Sequence, residues 1–223
     1  EPDLVPTKDG HLVARHENEI SGTTDVASHP EFADRKTTKT IDGQTETGWF
    51  TEDFTLAELK TLGARERLPQ LRSTAYDGQF QIPTLEEIIA LAKQWSKELG
   101  RAIAIYPETK HPTYFASIGK GTDAPLVAAL TKAGWTTADA PVFIQSFEVN
   151  NLKHLKTITG IRLIQLVAGE GGPADGAAPT YAAMMTPEGM RQVATYAWGI
   201  GPDKAMLWQG DAPTTLVADA HRT

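Results

Sequence analysis

Short apolar stretches alternate along this chain with longer stretches in which apolar residues recur every three or four positions. The short stretches are typical of buried β-strands, and the longer ones are typical of amphipathic helices. The predicted strands are residues 11–16, 102–108, 142–147, 161–168 and 194–202, preceded by residues 1–5 as the tail of an earlier strand. Strands that alternate with helices form a parallel sheet, either an open doubly wound sheet or a closed (β/α)8 barrel.

The helix that the pattern predicts most clearly covers residues 84–100. Thr84 and Glu87 have the spacing of a capping box at its start, and Gly100 is a typical residue at its end. Its apolar residues share one face, which consists of Leu85, Ile88, Ile89, Ala92, Trp95 and Leu99. The same pattern predicts further helices at residues 55–62, 124–134, 148–158, 186–197 and 214–222.

The composition narrows the class of protein. With 223 residues, of which 40% are hydrophobic, the chain is long enough for one large domain, so we predict a single domain over residues 1–223. The formal net charge is −7 and the lysines and arginines are scattered, which argues against nucleic acid as a partner. Cysteine is absent, which excludes disulfides, thiol catalysis and cysteine-ligated zinc. No apolar run approaches the length of a membrane span, so we expect no integral membrane segment.

Two segments between the predicted elements are rich in glycine or polar residues. Residues 169–176 lack the glycine spacing of a dinucleotide-binding fingerprint, so we predict a flexible loop there. Residues 18–53 are long, polar and rich in threonine and glycine. Because loops of that length in a compact domain are usually functional or disordered, we interpret them as a long inserted loop on the active-site side.

Two acids and a histidine lie near the start of the chain. Glu1 and Asp3 are two positions apart, so on a strand their side chains point to the same side, a geometry suited to a shared cation. Pro2 lacks an N–H group, which predicts the C-terminal end of a strand, and His16 closes the next strand on the same rim. The alternative is two solvated acids and a half-exposed histidine, which are common on protein surfaces.

A second pair of charged residues closes another apolar strand. Glu108 and Lys110 are again two positions apart, at the end of the strand predicted for residues 102–108. They form either a plain ion pair or a third metal ligand beside a phosphate-binding cation. Three carboxylates without cysteine make an all-oxygen site, which favours Ca²⁺ or Mg²⁺ over zinc.

Taken in order, the motifs EPDLVPTKDGHLVARHE, SGTTDVA, GWFTEDFTLAELKTL, IPTLEEII, YPETK, FIQSFE and GIGP cover nearly the whole chain. Together they resemble the glycerophosphodiester phosphodiesterases, and the periplasmic or secreted type most closely. The resemblance implies a TIM-type (β/α)8 barrel of the phospholipase-C-like phosphodiesterase class. It also implies hydrolysis of glycerophosphodiesters to sn-glycerol 3-phosphate and an alcohol, within lipid and glycerol metabolism.

The family's signature consists of His-Arg, then Glu-x-Asp, then His. Its last two parts match Glu1, Asp3 and His16, whereas His-Arg has no counterpart in these residues. We therefore expect a barrel that is incomplete at both ends, without the His-Arg strand and without the last barrel strand.

The resemblance also assigns roles to individual residues. Glu1, Asp3 and Glu108 would be the metal ligands, with Ca²⁺ the expected ion and Mg²⁺ the alternative. His16 would be the remaining member of a catalytic histidine pair, and Lys110 would hold the phosphate of a small-molecule glycerophosphodiester. Gln145 and Phe147 would line the substrate pocket. The remaining histidines receive no role and are interpreted as strand, surface or loop residues: His11, His29, His111, His154 and His221.

Two other functions fit the same residues. One is a catalytically silent barrel that acts as a binding protein, which the missing His-Arg would allow. The other is a lyase similar to sphingomyelinase D, which shares this fold and acid set. The TTDVA and GWFTEDFTL segments favour the glycerophosphodiesterase. Head-group preference and oligomeric state cannot be predicted from this sequence.

Overall fold

The structure, a computed structural model, describes residues 1–178 and 180–223. Its strands, in chain order, are β1 (Asp3–Pro6), β2 (Leu12–Ala14), β3 (Thr37–Ile41), β4 (Gln44–Gly48), β5 (Glu108–Thr109), β6 (Phe143–Ser146), β7 (Arg162–Val167), β8 (Gly199–Pro202), β9 (Trp208–Gln209) and β10 (Ala212–Pro213). The helices are α1 (Leu56–Leu59), α2 (Leu85–Leu99), α3 (Pro112–Ser117), α4 (Asp123–Lys132), α5 (Val149–Ile158), α6 (Tyr181–Met184), α7 (Pro187–Ala194) and α8 (Leu216–Arg222). Short 3-10 helices cover Val26–Ser28, Pro30–Arg35, Thr51–Asp53 and Lys204–Leu207.

Within the described residues, six strands form the main sheet, in the order β2-β1-β5-β6-β7-β8. β2 is antiparallel to β1. The other strands of this sheet, β1, β5, β6, β7 and β8, are parallel to one another. The register pairs Asp3 with Glu108, Glu108 with Gln145, and Gln145 with Ile164. Three residues that the sequence singles out therefore lie side by side at one level of the sheet.

Helices connect the parallel strands. α3 and α4 lie between β5 and β6, α5 between β6 and β7, and α6 and α7 between β7 and β8. This arrangement confirms the α/β class that the alternating pattern predicts. In the part of the chain that the structure describes, no helix combines the length and apolar character needed to cross a bilayer.

Helix α2 begins and ends where the sequence predicts. The Thr84 side chain accepts a hydrogen bond from the Glu87 N–H, Glu87 caps Thr84 in return, and Gly100 has the left-handed conformation. Of the predicted apolar face, Leu85, Ile89 and Ala92 are buried, but Trp95 and Leu99 are 45% and 51% exposed. The apolar face therefore extends beyond the surface that the sheet and α4 cover.

Two hydrophobic cores lie on either side of β1 and β2. The first packs the sheet against its helices and includes Leu4, Leu85, Ile144 and Leu163. The second packs residues from the 18–62 region against the opposite faces of the same two strands, and it includes Val5, Val13, Ile20, Phe54 and Leu62. Alternate residues of one strand thus serve different cores, as the period of two requires.

Three predicted strand boundaries are wrong. β1 begins after Pro2 instead of ending there. The missing N–H group of Pro2 does not prevent pairing, because Pro2 contributes its carbonyl, which accepts a hydrogen bond from the Glu108 N–H. The strand predicted for residues 102–108 pairs regularly only at β5, with one isolated bridge at Ile105, since Pro107 interrupts the ladder. The helix and strand predictions overlap at residues 194–197. Hydrogen bonds to the Val193 carbonyl continue the helical turn there, and β8 starts at Gly199.

Residues 18–53 contain regular structure that the sequence analysis did not predict. β3 and β4 form a hairpin whose two-residue turn is Asp42-Gly43, and both turn residues have positive φ angles. Asp-Gly is a strong signal for such a turn, although polar threonines on both strands hide the strand pattern. The segment is therefore ordered around a hairpin instead of being one long loop.

Candidate active site

Three carboxylates converge at one end of the parallel sheet. Oxygen atoms of Glu1, Asp3 and Glu108 all lie within 4.8 Å of one another. The sheet register causes this, because Asp3 and Glu108 are paired residues of neighbouring strands and Glu1 points to the same side as Asp3. We call these three residues the acid cluster. An all-oxygen donor set of this size fits a hard divalent cation.

Within the acid cluster Glu108 is buried, Asp3 is half-buried and Glu1 is exposed, so a negative charge is least favourable at Glu108. Burial, together with the nearby Asp3 carboxylate, raises the pKa of Glu108 to about 7, although Lys110 acts in the opposite direction. Lys110 Nζ lies 3.3 Å from Glu108 Oε1, and both side chains are buried. One lysine therefore opposes three acids, which is the charge imbalance that a bound divalent cation would correct.

Gln145 holds the edge of the acid cluster in place. Its Nε2 donates a hydrogen bond to a Glu1 carboxylate oxygen, and its side chain is fully buried. The cause is again the register, because Gln145 pairs with Glu108 on the next strand. Gln145 thus orients the Glu1 carboxylate.

A cleft of about 280 Å³ opens beside Glu108, and we call it the rim cleft. The ring of Phe147 lies 6.0 Å from the ring of Tyr181 in an edge-to-face arrangement at one wall. The residues that line the cleft are Asp42, Glu108, Thr109, Lys110, His111, Pro112, Phe147, Glu148, Gly172, Ala174 and Tyr181. Among the predicted site residues, Glu108, Lys110 and Phe147 therefore share one cavity.

The rim cleft contains a second buried acid, Glu148, which received no role from the sequence. Glu148 is buried, and its carboxylate accepts hydrogen bonds from the backbone N–H and the hydroxyl of Thr113. Burial raises the pKa of Glu148 in spite of these bonds. Its position just after β6 was the available signal, because the carboxyl ends of parallel strands carry functional groups in this class of fold.

His16 lies next to a different cleft. Its backbone neighbour Arg15 donates a hydrogen bond to the Asp3 carbonyl, which places His16 directly after the β1–β2 pairing. The imidazole is exposed, and its Nδ1 lies 2.7 Å from Glu17 Oε1. It lines a cleft of about 550 Å³, the outer cleft, together with Glu17, Glu19, Gly22, Thr23, Glu46, Thr47 and Arg67.

One half-buried histidine connects the two clefts. His111 Nε2 lies 2.9 Å from Glu17 Oε2, and its Nδ1 lies 2.6 Å from Asp42 Oδ2 at the tip of the hairpin. His111, interpreted from the sequence as a surface or loop residue, lies in the loop between β5 and α3, and its side chain is only 16% exposed. Residues far apart in the sequence are thereby joined in the order His16, Glu17, His111 and Asp42.

Comparison with known proteins identifies the family whose sequences this chain matches. The Glycerophosphoryl diester phosphodiesterase family matches residues 1–223. A glycerophosphodiester phosphodiesterase of Arabidopsis thaliana is 36% identical over 99% of this chain and 63% of its own length. The glycerophosphodiester phosphodiesterase of Haemophilus influenzae is 31% identical over 93% of this chain and 61% of its own length. The chain thus spans about three fifths of the length of these curated relatives.

Solved structures share the fold at lower sequence identity. A phosphodiesterase of Oleispira antarctica, solved in complex with the product sn-glycerol-3-phosphate, has a TM-score of 0.59 at 22% identity, over 91% of this chain and 62% of that one. A glycerophosphodiester phosphodiesterase of Agrobacterium tumefaciens has a TM-score of 0.56 at 17% identity, over 99% and 68%. These likenesses confirm the TIM-type fold class. Enzymes of this kind generally depend on a divalent metal ion, which the acid cluster fits. On its sequence over residues 1–223, the chain belongs to the glycerophosphoryl diester phosphodiesterase family.

Proposed function

We propose that the full-length protein hydrolyses glycerophosphodiesters to sn-glycerol 3-phosphate and an alcohol, and that it depends on a divalent cation. The observation that carries this proposal is the convergence of Glu1, Asp3 and Glu108 within 4.8 Å, beside Lys110 at the rim cleft. The names of the curated relatives support the same activity. The product bound by the Oleispira antarctica protein supports a small-molecule phosphodiester as the substrate class.

The acid cluster would hold the cation. Ca²⁺ is the ion that we propose first and Mg²⁺ the alternative, because both prefer oxygen ligands and the cluster offers only carboxylates. When bound, the cation neutralises phosphodiester oxygens and lowers the pKa of an attacking oxygen. Gln145 keeps the Glu1 carboxylate oriented through its hydrogen bond.

Three residues of the rim cleft would bind the substrate, namely Lys110, Phe147 and Tyr181. Lys110 offers an ammonium group for a phosphate oxygen, since its present partner is a single oxygen of Glu108. Phe147 and Tyr181 provide an apolar wall that a glycerol backbone can pack against. Substrate binding therefore draws on the residues that follow β5 and β6 and on the first residue of α6.

His16 would transfer a proton during the reaction. Because Glu17 accepts a hydrogen bond at Nδ1, the neutral imidazole carries its lone pair on Nε2, which is the atom available as base or acid. A partner histidine, as in the family's His-Arg motif, would carry the opposite proton transfer.

The test is hydrolysis of glycerophosphocholine by the full-length protein, followed by measurement of sn-glycerol 3-phosphate. Activity should disappear in EDTA and return with Ca²⁺, and with Mg²⁺ to a smaller extent. The phosphorus NMR spectrum separates the alternatives. A cyclic phosphate product would indicate a lyase reaction instead of hydrolysis. Substrate binding without turnover would indicate a catalytically silent binding protein. Full activity in EDTA would contradict the metal role of the acid cluster.

We also propose a periplasmic or secreted location. The sequence resemblance to the periplasmic or secreted type supports it. Fractionation of cells that produce the full-length protein under its own promoter tests the proposal, with a cytoplasmic enzyme as the control. Recovery of the protein with that control enzyme would contradict it.

A further inference from the structure

His111 occupies an unusual position between two carboxylates that come from different parts of the chain. It follows Lys110 directly after β5, whereas Glu17 follows β2 and Asp42 lies in the turn between β3 and β4. Each ring nitrogen of His111 lies within 2.9 Å of one carboxylate oxygen. The imidazole therefore connects Glu17, the neighbour of His16, with Asp42 in the hairpin turn. His111 itself follows β5, the strand that carries Glu108.

The bridge requires a charged imidazole. A carboxylate accepts hydrogen bonds, so both ring nitrogens of His111 must donate, and only the imidazolium has two N–H groups. Burial opposes this charge, but hydrogen bonds to Asp42 and Glu17 overcome it and raise the pKa of His111 to about 9. The pKa of the Glu17 carboxylate is shifted in the opposite direction. Burial opposes its charge, yet its bonds to His111 and His16 lower its pKa.

The backbone conformation of His111 indicates that the surrounding structure holds the residue against Asp42. His111 has φ 46° and ψ 44°, the left-handed conformation that costs a residue with a Cβ on the order of 1 kcal/mol. Within the described residues, the other non-glycine residue with positive φ is Asp42, its hydrogen-bond partner. The two ends of this one hydrogen bond thus both adopt a disfavoured backbone conformation.

We propose that His111 is a positioning residue for His16: the imidazolium, anchored by Asp42, fixes the Glu17 carboxylate that holds His16 through Nδ1. This inference rests on the proposed function of His16 in proton transfer. Glu17 has one oxygen for each histidine, so an imidazolium on Oε2 orients Oε1 toward His16 Nδ1. The arrangement selects the Nδ1–H tautomer of His16 and places its Nε2 lone pair for the reaction.

The test compares two histidines that each contact two acids. His29 lies 3.3 Å from Asp25 and 3.1 Å from Glu31, but neither acid contacts His16 or lines the two clefts, so His29→Gln is the matched control for His111→Gln. In the full-length protein, His111→Gln should lower kcat about 10- to 100-fold, the loss typical of an orienting partner. Its KM for glycerophosphocholine should change less than about threefold, because substrate contacts remain. His29→Gln should keep both constants.

A second measurement uses the wild-type protein and does not depend on how a variant folds. Nitrogen NMR of the His16 imidazole should show the neutral Nδ1–H tautomer, and His111→Gln should return it toward the Nε2–H form that free histidine favours. The Nε2–H tautomer in the wild-type protein would overturn the proposal. Unchanged kcat in His111→Gln would overturn it as well.

His16→Ala separates this inference from the proposed function. If His16→Ala keeps full activity, the role of His16 itself is wrong. If His16→Ala is inactive while His111→Gln has wild-type kcat and an unchanged tautomer, the proposed function stands and only the positioning role of His111 fails.

Discussion

Glu108 of the acid cluster and Glu52 are both buried carboxylates in this protein, but their surroundings differ. Glu52, in the segment before α1, has a side chain that is 1% exposed and accepts four hydrogen bonds. Asn18 donates twice, at 3.0 and 3.1 Å, Lys39 Nζ lies at 2.9 Å, and the Tyr114 hydroxyl lies at 2.7 Å. The charge of Glu52 is thus compensated entirely by groups of the protein.

The acid cluster lacks such compensation. Glu108 has Lys110 as its nearby cation, and the second carboxylate, Asp3, raises its pKa further. Burying acids costs free energy unless hydrogen bonds or charges offset it. The comparison therefore separates two uses of a buried acid. Glu52 accepts hydrogen bonds from groups of the protein, whereas we propose that the acid cluster binds an external cation.

The sharpest test of this contrast is the activity of Glu108→Gln. Because the substitution removes a proposed cation ligand but keeps the shape of the side chain, we expect turnover to fall by about 10³-fold, which corresponds to several kcal/mol of lost electrostatic stabilisation. Steady-state hydrolysis of glycerophosphocholine and calorimetric titration with Ca²⁺ provide the measurements. A variant with wild-type affinity for Ca²⁺ would remove Glu108 from the site.

The reverse result is expected for Glu52→Gln. This variant loses the ion pair with Lys39 and places an amide group among three donors, so we expect a loss of about 2–4 kcal/mol in the free energy of unfolding. Turnover of the folded variant should stay near the wild-type value. Urea unfolding measures the loss, with the exposed Glu86→Gln as control. If Glu52→Gln is as stable as that control, the network does not stabilise the fold.

Measuring stability at two pH values tests whether the charge of Glu108 destabilises the folded protein in the absence of substrate. The pKa of Glu108 rises from 4.5 in the unfolded chain to about 7 in the folded protein, so the folded state holds the proton more tightly. The resulting stabilisation is complete below pH 4.5 and is lost as the pH rises through about 7. In EDTA at pH 8, Glu108→Gln should therefore be more stable than the wild type by on the order of 1–3 kcal/mol.

Thermal unfolding at pH 5 and pH 8 measures this difference, which should shrink at the lower pH. Added Ca²⁺ should then stabilise the wild type and not the variant, because a ligand stabilises the state that binds it. An equal difference at both pH values would contradict the raised pKa of Glu108.

Tyr114→Phe should produce the smallest effect. It removes one of the four hydrogen bonds to Glu52 and leaves the charge and the other donors in place, so we expect about 0.5–1.5 kcal/mol of destabilisation. Combining it with Glu52→Gln in a double-mutant cycle isolates the pair. Strictly additive losses would show that Tyr114 and Glu52 do not interact in solution.

Local signals determined much of the fold. Thr84, Glu87 and Gly100 mark the ends of α2 because capping depends on hydrogen bonds between residues within one turn. The same holds for Thr55 and Glu58 at α1. The convergence of Glu1, Asp3 and Glu108 was predictable only in part, since side-chain alternation is a local property but the pairing of Asp3 with Glu108 depends on the register of β1 and β5.

The tertiary structure decided the features that depend on contacts between distant segments. His111 shows no pattern of its own in the sequence, because its two partners, Glu17 and Asp42, are 94 and 69 positions away. Trp95 continues the apolar stripe of α2 but stays exposed, since burial depends on where neighbouring elements end. The sequence by itself thus determined the caps of α1 and α2 and the alternation of strands with helices. Only the folded chain decided which acids receive partners from the protein, because charge compensation acts through space and not along the chain.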